Sequence, residues 1–154
     1  MPGTPEALAQ SSAGSALGFD YGSRWIGVAV GNRLSGARAL ATVSNGGEQP
    51  DWQRFDALIA EWRPACLVVG LPLRLDGGEQ AMSRAARDFA DALRKRYGVP
   101  VRLVDERHTS SEAARRFAGQ RAQGKARRKD AAAIDAVAAQ IILEDWFAQA
   151  PTDT

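Results

Sequence analysis

The chain of 154 residues contains a single cysteine, Cys66, and a single histidine, His108. A lone cysteine cannot form a disulfide within the chain, and its place in the apolar run 65–69 is typical of a buried strand residue. One histidine and one cysteine far apart in the sequence also do not form the usual ligand set of a zinc site. The sequence therefore excludes an internal disulfide and argues against a zinc centre.

Long hydrophobic runs are also missing. No segment is long enough to cross a bilayer, and residues 1–14 lack the basic start and apolar stretch of a secretory signal. We therefore expect a soluble cytoplasmic protein that has no membrane partner. The chain has no Gly-x-x-x-x-Gly-Lys-Ser/Thr loop for nucleotide phosphates, which argues against an actin-like sugar kinase or ATPase.

The composition, with 45% hydrophobic and 25% charged residues, is that of one globular domain. We assign this domain to residues 15–148, with disordered tails at 1–14 and 149–154. Apolar periodicity predicts an α/β fold, in which a mixed five-stranded sheet begins as an antiparallel meander, continues with parallel strands and is flanked by helices. The predicted strands are 15–20, 25–31, 38–43, 66–70 and 101–105, and the predicted helices are 52–62, 79–97, one from about 111, and 131–148.

Acidic residues occur at positions where a carboxylate is costly to bury. Asp20 ends the first strand, and by itself this position favours a turn aspartate that accepts hydrogen bonds from local backbone N–H groups. Asp105 and Glu106 end the last strand, where they could be an ordinary exposed pair. Because strand side chains alternate, only one of this pair can face a given site, and we favour Glu106 over Asp105.

Asp135 is the strongest single case. Helical spacing aligns it with an apolar stripe of the last helix, although a first-turn aspartate or a partner for a buried arginine would give the same pattern. Converging carboxylates repel one another, and Mg²⁺ or Mn²⁺ removes that penalty because these hard cations take oxygen ligands. The stripe consists of Ala138, Ala139, Ile142 and Trp146.

Basic residues are concentrated after Glu112, with no acid before Asp130. Such a run is either a phosphate-binding loop or a solvated surface, and the two readings are equally compatible with the sequence. Arg74 and Arg107 are further candidates for phosphate contacts, and His108 could relay a proton or pack at a helix entry. Trp25 and Trp62 are interpreted as core or rim aromatics. The basic run comprises Arg115, Arg116, Arg121, Lys125, Arg127, Arg128 and Lys129.

Four motifs occur in a characteristic order and resemble the YqgF family of pre-16S ribosomal RNA nucleases across nearly all of residues 15–148. The chain departs from the family pattern at Trp25, where arginine is usual, and at Arg74, where asparagine is common. The motifs are Gly-Phe-Asp-Tyr-Gly at 18–22 with Ile-Gly-Val-Ala at 26–29, Val-Gly-Leu-Pro at 69–72 with Asp76-Gly77, Asp-Glu-Arg at 105–107 with Thr109, and Ile-Asp-Ala-Val-Ala-Ala at 134–139 with 141–143.

This resemblance implies an RNase H-like fold akin to Holliday-junction resolvases and a divalent metal site. The family's acidic site carries over to Asp20, Glu106 and Asp135. It also implies a role in maturing the 5′ end of 16S ribosomal RNA in the bacterial cytoplasm, so that the expected partners are precursor rRNA and ribosomal precursor particles.

The leading hypothesis is a hydrolase, a metal-dependent endonuclease that uses Mg²⁺ or Mn²⁺. Two alternatives stay open at this point: a structure-selective nuclease that acts on branched DNA, and a non-catalytic nucleic-acid-binding protein. The sequence does not distinguish a monomer from a dimer.

Overall fold

The computed structural model describes residues 14–46, 49–72, 76–105 and 131–149, with side chains of the last segment from residue 135. The predicted helix from about 111 lies outside these residues, as do the predicted tails 1–14 and 149–154 except for residues 14 and 149. None of the described helices is long and apolar enough to cross a membrane. In chain order the elements are β1 Ala16–Tyr21, β2 Trp25–Asn32, β3 Gly36–Ser44, α1 Trp52–Trp62, β4 Cys66–Leu71, α2 Ala81–Tyr97, β5 Val101–Asp105 and α3 Ala131–Ala148.

The strands form one sheet in the order β3-β2-β1-β4-β5. β1 pairs antiparallel with β2, and β2 with β3, whereas β4 runs parallel to both β1 and β5. The predicted mixed sheet is therefore confirmed. Because β1, β4 and β5 are parallel, their carboxyl ends lie at the same edge, where ligands of such sheets usually bind.

Each face of the sheet is covered by its own helices, and side-chain alternation determines which residues meet them. On one face Leu17 and Phe19 of β1 pack with Phe55 of α1 and Phe89 of α2. On the other face the same strand packs against α3 through Ala16. β4 is buried along its whole length, which confirms that this short apolar run is covered on both faces.

Local sequence signals determine where α1 and α2 begin and end. The side chain of Asp51 accepts a hydrogen bond from the backbone N–H of Arg54 and so caps α1. Gln80 and Ser83 form a capping box at the start of α2. Gly98 ends α2 with φ of 64°, as the sequence predicts, because glycine adopts this left-handed conformation without a steric penalty.

α3 differs from the prediction in one respect. Ala139, Ile142 and Trp146 face the sheet, as the stripe predicts, whereas Ala138 packs with Ile141 in a separate cluster. Apolar residues therefore surround much of this helix, and a single stripe does not describe it.

Candidate active site

Asp20 is half-buried next to the end of β1 and faces α3. Its orientation follows from alternation, because Leu17 and Phe19 point into the opposite core while Ala16 packs on the α3 side. The strand thus carries one carboxylate to the edge of an otherwise apolar face.

Gly27 brings α3 to the same place. This glycine pairs with Asp20 across the β1–β2 ladder, and paired Cα atoms in such a ladder are about 5 Å apart. A Cβ built on Gly27 would lie only 1.8 Å from the backbone oxygen of Asp135. The helix backbone at Asp135 therefore rests directly on the strand residue beside Asp20. The structure brings these two predicted site residues to one end of one face.

The fit between α3 and β1 continues one helical turn later. A Cβ on Gly18 would lie 3.1 Å from both the backbone oxygen of Ala139 and the Cβ of Leu143. Glycines on two adjacent strands thus let α3 approach more closely than side chains would permit. This close approach determines the depth at which Asp135 enters the site.

The electrostatics of Asp135 agree with a partly buried carboxylate. Burial raises the pKa of Asp135 to about 6, because removal from water penalises its charged form. A divalent cation would offset this penalty, since it stabilises the ionised form. The residues present fit Mg²⁺ or Mn²⁺, because their donors are carboxylate oxygens and burial leaves a charge that a cation can compensate.

Asp105 lies elsewhere. It is exposed at the end of β5 and shares the alternation of Val101 and Leu103, which pack into the core beneath α1 and α2. Val104 instead packs with the apolar residues on the face that α3 covers. Asp105 therefore lies on the face opposite Asp20. Glu106, the preferred member of the pair, is outside the described residues.

Asn45 holds the turn between β1 and β2, a role that the sequence reasoning missed. Its side-chain Nδ2 donates to the carbonyl of Gly22 at 2.7 Å, and its backbone N–H donates to the carbonyl of Arg24 at 2.8 Å. The residue is buried, with 7% of its surface exposed. Its position in Ser44-Asn45-Gly46 indicates only a turn, so the sequence offers no signal for this long-range contact.

Within the described part of the chain, no three acidic, histidine or cysteine side chains come together as a metal-binding cluster. The pair Asp20 and Asp135 is what this part contributes. The remaining predicted site residues fall outside it, namely Glu106 and His108, the phosphate-contact candidates Arg74 and Arg107, and Arg115, Arg116, Arg121, Lys125, Arg127, Arg128 and Lys129.

The mixed sheet with helices on both faces is the RNase H-like fold. A solved structure with the same fold is "T. thermophilus RuvC in complex with Holliday junction substrate", which superposes with a TM-score of 0.51 at 19% identity, over 86% of this chain and 92% of that one. The predicted fold class is thus confirmed.

Residues 14–149 match the RuvX family, described as "Holliday junction resolvase". A protein of Xanthomonas oryzae pv. oryzae (strain PXO99A), named "Putative pre-16S rRNA nuclease", is 53% identical over 145 residues, which cover 94% of each chain. A protein of Xanthomonas campestris pv. campestris (strain B100) with the same name is 53% identical over 144 residues, or 93% of each chain. The chain belongs to the RuvX family, which is the family named YqgF above, and that resemblance is confirmed.

Proposed function

We propose that this protein is a metal-dependent endonuclease that hydrolyses phosphodiester bonds in the precursor of 16S ribosomal RNA. The observation that carries the proposal is the close approach of α3 to Gly27 of β2, which brings the backbone at Asp135 next to the ladder partner of Asp20. The names of the relatives from Xanthomonas support this choice of substrate.

Asp20, Asp135 and Glu106 would together hold Mg²⁺ or Mn²⁺. Strand alternation supports Glu106 as the third ligand, because Val104 packs towards α3 and position 106 is the next of the same parity. When bound, such an ion supplies Lewis-acid stabilisation of the phosphate and lowers the pKa of a bound water.

The chain's own contribution is to position the substrate. The basic residues between 115 and 129, together with Arg74 and Arg107, would contact phosphates and so hold the strand across the acidic edge. The cytoplasm, where precursor rRNA and ribosomal precursor particles occur, is the compartment that this role requires.

Replacement of Asp20 by asparagine tests the catalytic proposal. Asp20→Asn keeps the size of the side chain but removes the charge, so we expect cleavage of a precursor rRNA in Mn²⁺ to fall roughly 100-fold or more. Asp88→Asn, which alters an exposed acid of α2, should cleave like the unchanged protein, and both variants should melt as cooperatively as it does.

Full activity of Asp20→Asn with metal present would refute the proposed site. If the unchanged protein binds the precursor but never cleaves it in any divalent metal, it is a non-catalytic binding protein instead.

The description of the family favours a second candidate function, resolution of branched DNA. The same acidic edge could serve either substrate, because the described residues include no module that reads a 2′-hydroxyl. Parallel cleavage assays on a four-way DNA junction and on the rRNA precursor separate the two functions. Faster cleavage of the junction would overturn the assignment to ribosomal RNA.

A further inference from the structure

Trp25, at the start of β2, is an unusually exposed aromatic residue. Its surface is 45% exposed, and among the described residues Leu34 is the other large hydrophobic side chain with such exposure. Of the two positions that the sequence suggests, core or rim, the exposure of Trp25 excludes the core. Tryptophan is enriched at interaction surfaces, because its large apolar ring also carries a polar N–H.

Trp25 lies on the same face of the sheet as the acidic pair. Ile26 and Val28 of β2 point into the core beneath α1 and α2, whereas Gly27 lies against α3. Alternation gives Trp25 the parity of Gly27, and the two residues are about 7 Å apart along the strand. Trp25 thus lies two residues before Gly27, which touches the backbone at Asp135 and pairs with Asp20.

The backbone that carries the indole is held firmly. Asn45 clamps the carbonyls of Gly22 and Arg24, the residues that lead into Trp25. Gly22 also lies close to the backbone of Trp25, because a Cβ on Gly22 would be 2.6 Å from the backbone oxygen of Trp25. A platform that is already ordered loses little conformational entropy when a ligand binds to it.

The neighbouring charge suits a nucleic acid. Arg24 precedes Trp25 in the chain and is exposed, so the turn that leads into Trp25 carries a cation. Proteins that bind single-stranded nucleic acids combine these two features, since bases stack on the ring while cations attract the phosphates.

From this placement we infer that Trp25 stacks on an unpaired nucleobase of the substrate, close to the bond that the acidic edge cleaves. The inference rests on the proposed nuclease function and specifies its substrate as single-stranded at that position. A base within a duplex has both its faces covered by neighbouring bases, so it must leave the stack before it can stack on Trp25.

Three variants isolate the contribution of the indole. Trp25→Ala should weaken binding of a single-stranded oligonucleotide that spans the cleavage site by roughly 5- to 150-fold, measured in EDTA so that no cleavage occurs. Trp25→Tyr retains an aromatic face and should recover most of the affinity. Leu34→Ala removes an exposed apolar side chain from the far end of the same hairpin and should bind like the unchanged protein.

An abasic substitution moved along the oligonucleotide one nucleotide at a time gives a readout that a structural role would not produce. At one position the missing base should weaken binding by the unchanged protein as much as Trp25→Ala does, and it should have little further effect on that variant. Additive losses at every position, or equal binding by Trp25→Ala and the unchanged protein, would overturn the inference.

These failures differ from failure of the proposed function. A protein that cleaves precursor rRNA normally but shows no coupling between Trp25 and any base is a nuclease without the stacking contact. If the unchanged protein neither binds nor cleaves nucleic acid, both proposals fall.

Discussion

At the scale of single residues, Gly27 determines how closely the backbone of α3 can approach the strand residue that pairs with Asp20. Neither Asp20 nor Asp135 can be moved independently of it, because one pairs with it across the ladder and the other rests on it through the helix backbone. A glycine with no catalytic chemistry of its own therefore sets the geometry of the candidate site.

The variant Gly27→Ala tests this role. The new Cβ would meet the backbone of Asp135 rather than a flexible side chain, so α3 must shift. We therefore expect the free energy of unfolding, measured by urea denaturation, to fall by about 2–3 kcal/mol. Cleavage should fall as well, although neither carboxylate has changed.

Gly46→Ala is the matched control for Gly27→Ala. Among the described residues, the nearest atom to a Cβ there is the hydroxyl of Ser44, at 3.7 Å, so the free energy of unfolding should change by less than about 0.5 kcal/mol. Equal stability of the two variants would show that α3 does not rest on Gly27.

Asp135 is expected to lower stability at neutral pH. Its pKa rises from 3.8 to about 6 on folding, so the folded state binds a proton at Asp135 more tightly than the unfolded state does. The free energy of unfolding therefore declines as the pH rises from about 4 to 6. Because the side chain is half exposed, solvent screening leaves a penalty of roughly 1 kcal/mol.

Asp135→Asn removes that penalty. In EDTA its melting temperature at pH 7.5 should exceed that of the unchanged protein by about 2–4 °C, and the gap should close at pH 4. A lower melting temperature at pH 7.5 would mean that the ionised carboxylate stabilises the fold through a favourable partner.

From sequence patterns alone, Asp135 stands out because it lies on an apolar stripe, whereas Asp20 is joined to it only through the family resemblance. The sequence could not identify Gly27 or Asn45, since their roles depend on contacts between segments that are distant in the chain. The choice of Glu106 over Asp105 stays a prediction, and the exposure of Asp105 on the opposite face supports it.

At the scale of elements, α1 and α2 are joined by a charged contact far from the candidate site. The guanidinium of Arg96 donates to both carboxylate oxygens of Asp56, at 2.9 and 2.8 Å, and the hydroxyl of Tyr97 donates to the same group at 2.7 Å. Arg96 also lies over the ring of Trp52, 5.2 Å from its centroid. A bidentate contact of this kind fixes orientation as well as distance.

This contact predicts a dependence of stability on pH. The hydrogen bonds from Arg96 and Tyr97 lower the pKa of Asp56 from 3.8 to about 2. The contribution of the ionised carboxylate to folding stability is therefore present above about pH 4 and disappears as the pH falls through 2. Asp56→Asn should lower the urea midpoint at pH 7, and the difference should shrink between pH 4 and 2.

Asp91→Asn provides the control for Asp56→Asn. Its exposed pair with Arg94 lies within α2, so the urea midpoint should hardly change at any pH. If Asp91→Asn and Asp56→Asn changed the urea midpoint equally, the contact between the helices would stabilise the fold no more than an exposed pair within one helix.

The sequence predicts the elements better than their contacts. The bounds of β5 and α3 agree with the prediction, because glycine, proline and apolar periodicity mark them clearly. β3 begins at Gly36, earlier than predicted, since φ of 82° at that glycine allows the chain to re-enter the ladder directly after the turn. The division of the apolar residues of α3 into two clusters could not be predicted, because it depends on which elements pack against each side of the helix.

At the scale of the whole molecule, the strand order explains why a chain with scattered acids can form one site. β1 is central in the sheet and β5 lies at its edge, with β4 between them. Their parallel directions carry every carboxyl end to the same side. The sequence predicts the fold class that produces this arrangement. It does not predict the register of the strands, because register is fixed only when the complete sheet packs between its helices.

The close seat of α3 on Gly18 and Gly27 also has a consequence for protein synthesis. The first acid is made early, but its partner arrives with α3, the last described helix, which also covers one whole face of the sheet. A nascent chain interrupted before residue 131 would lack Asp135 and the helix that packs on this apolar face. If Asp135 is needed for cleavage, as proposed, the chain gains activity only after α3 has been made.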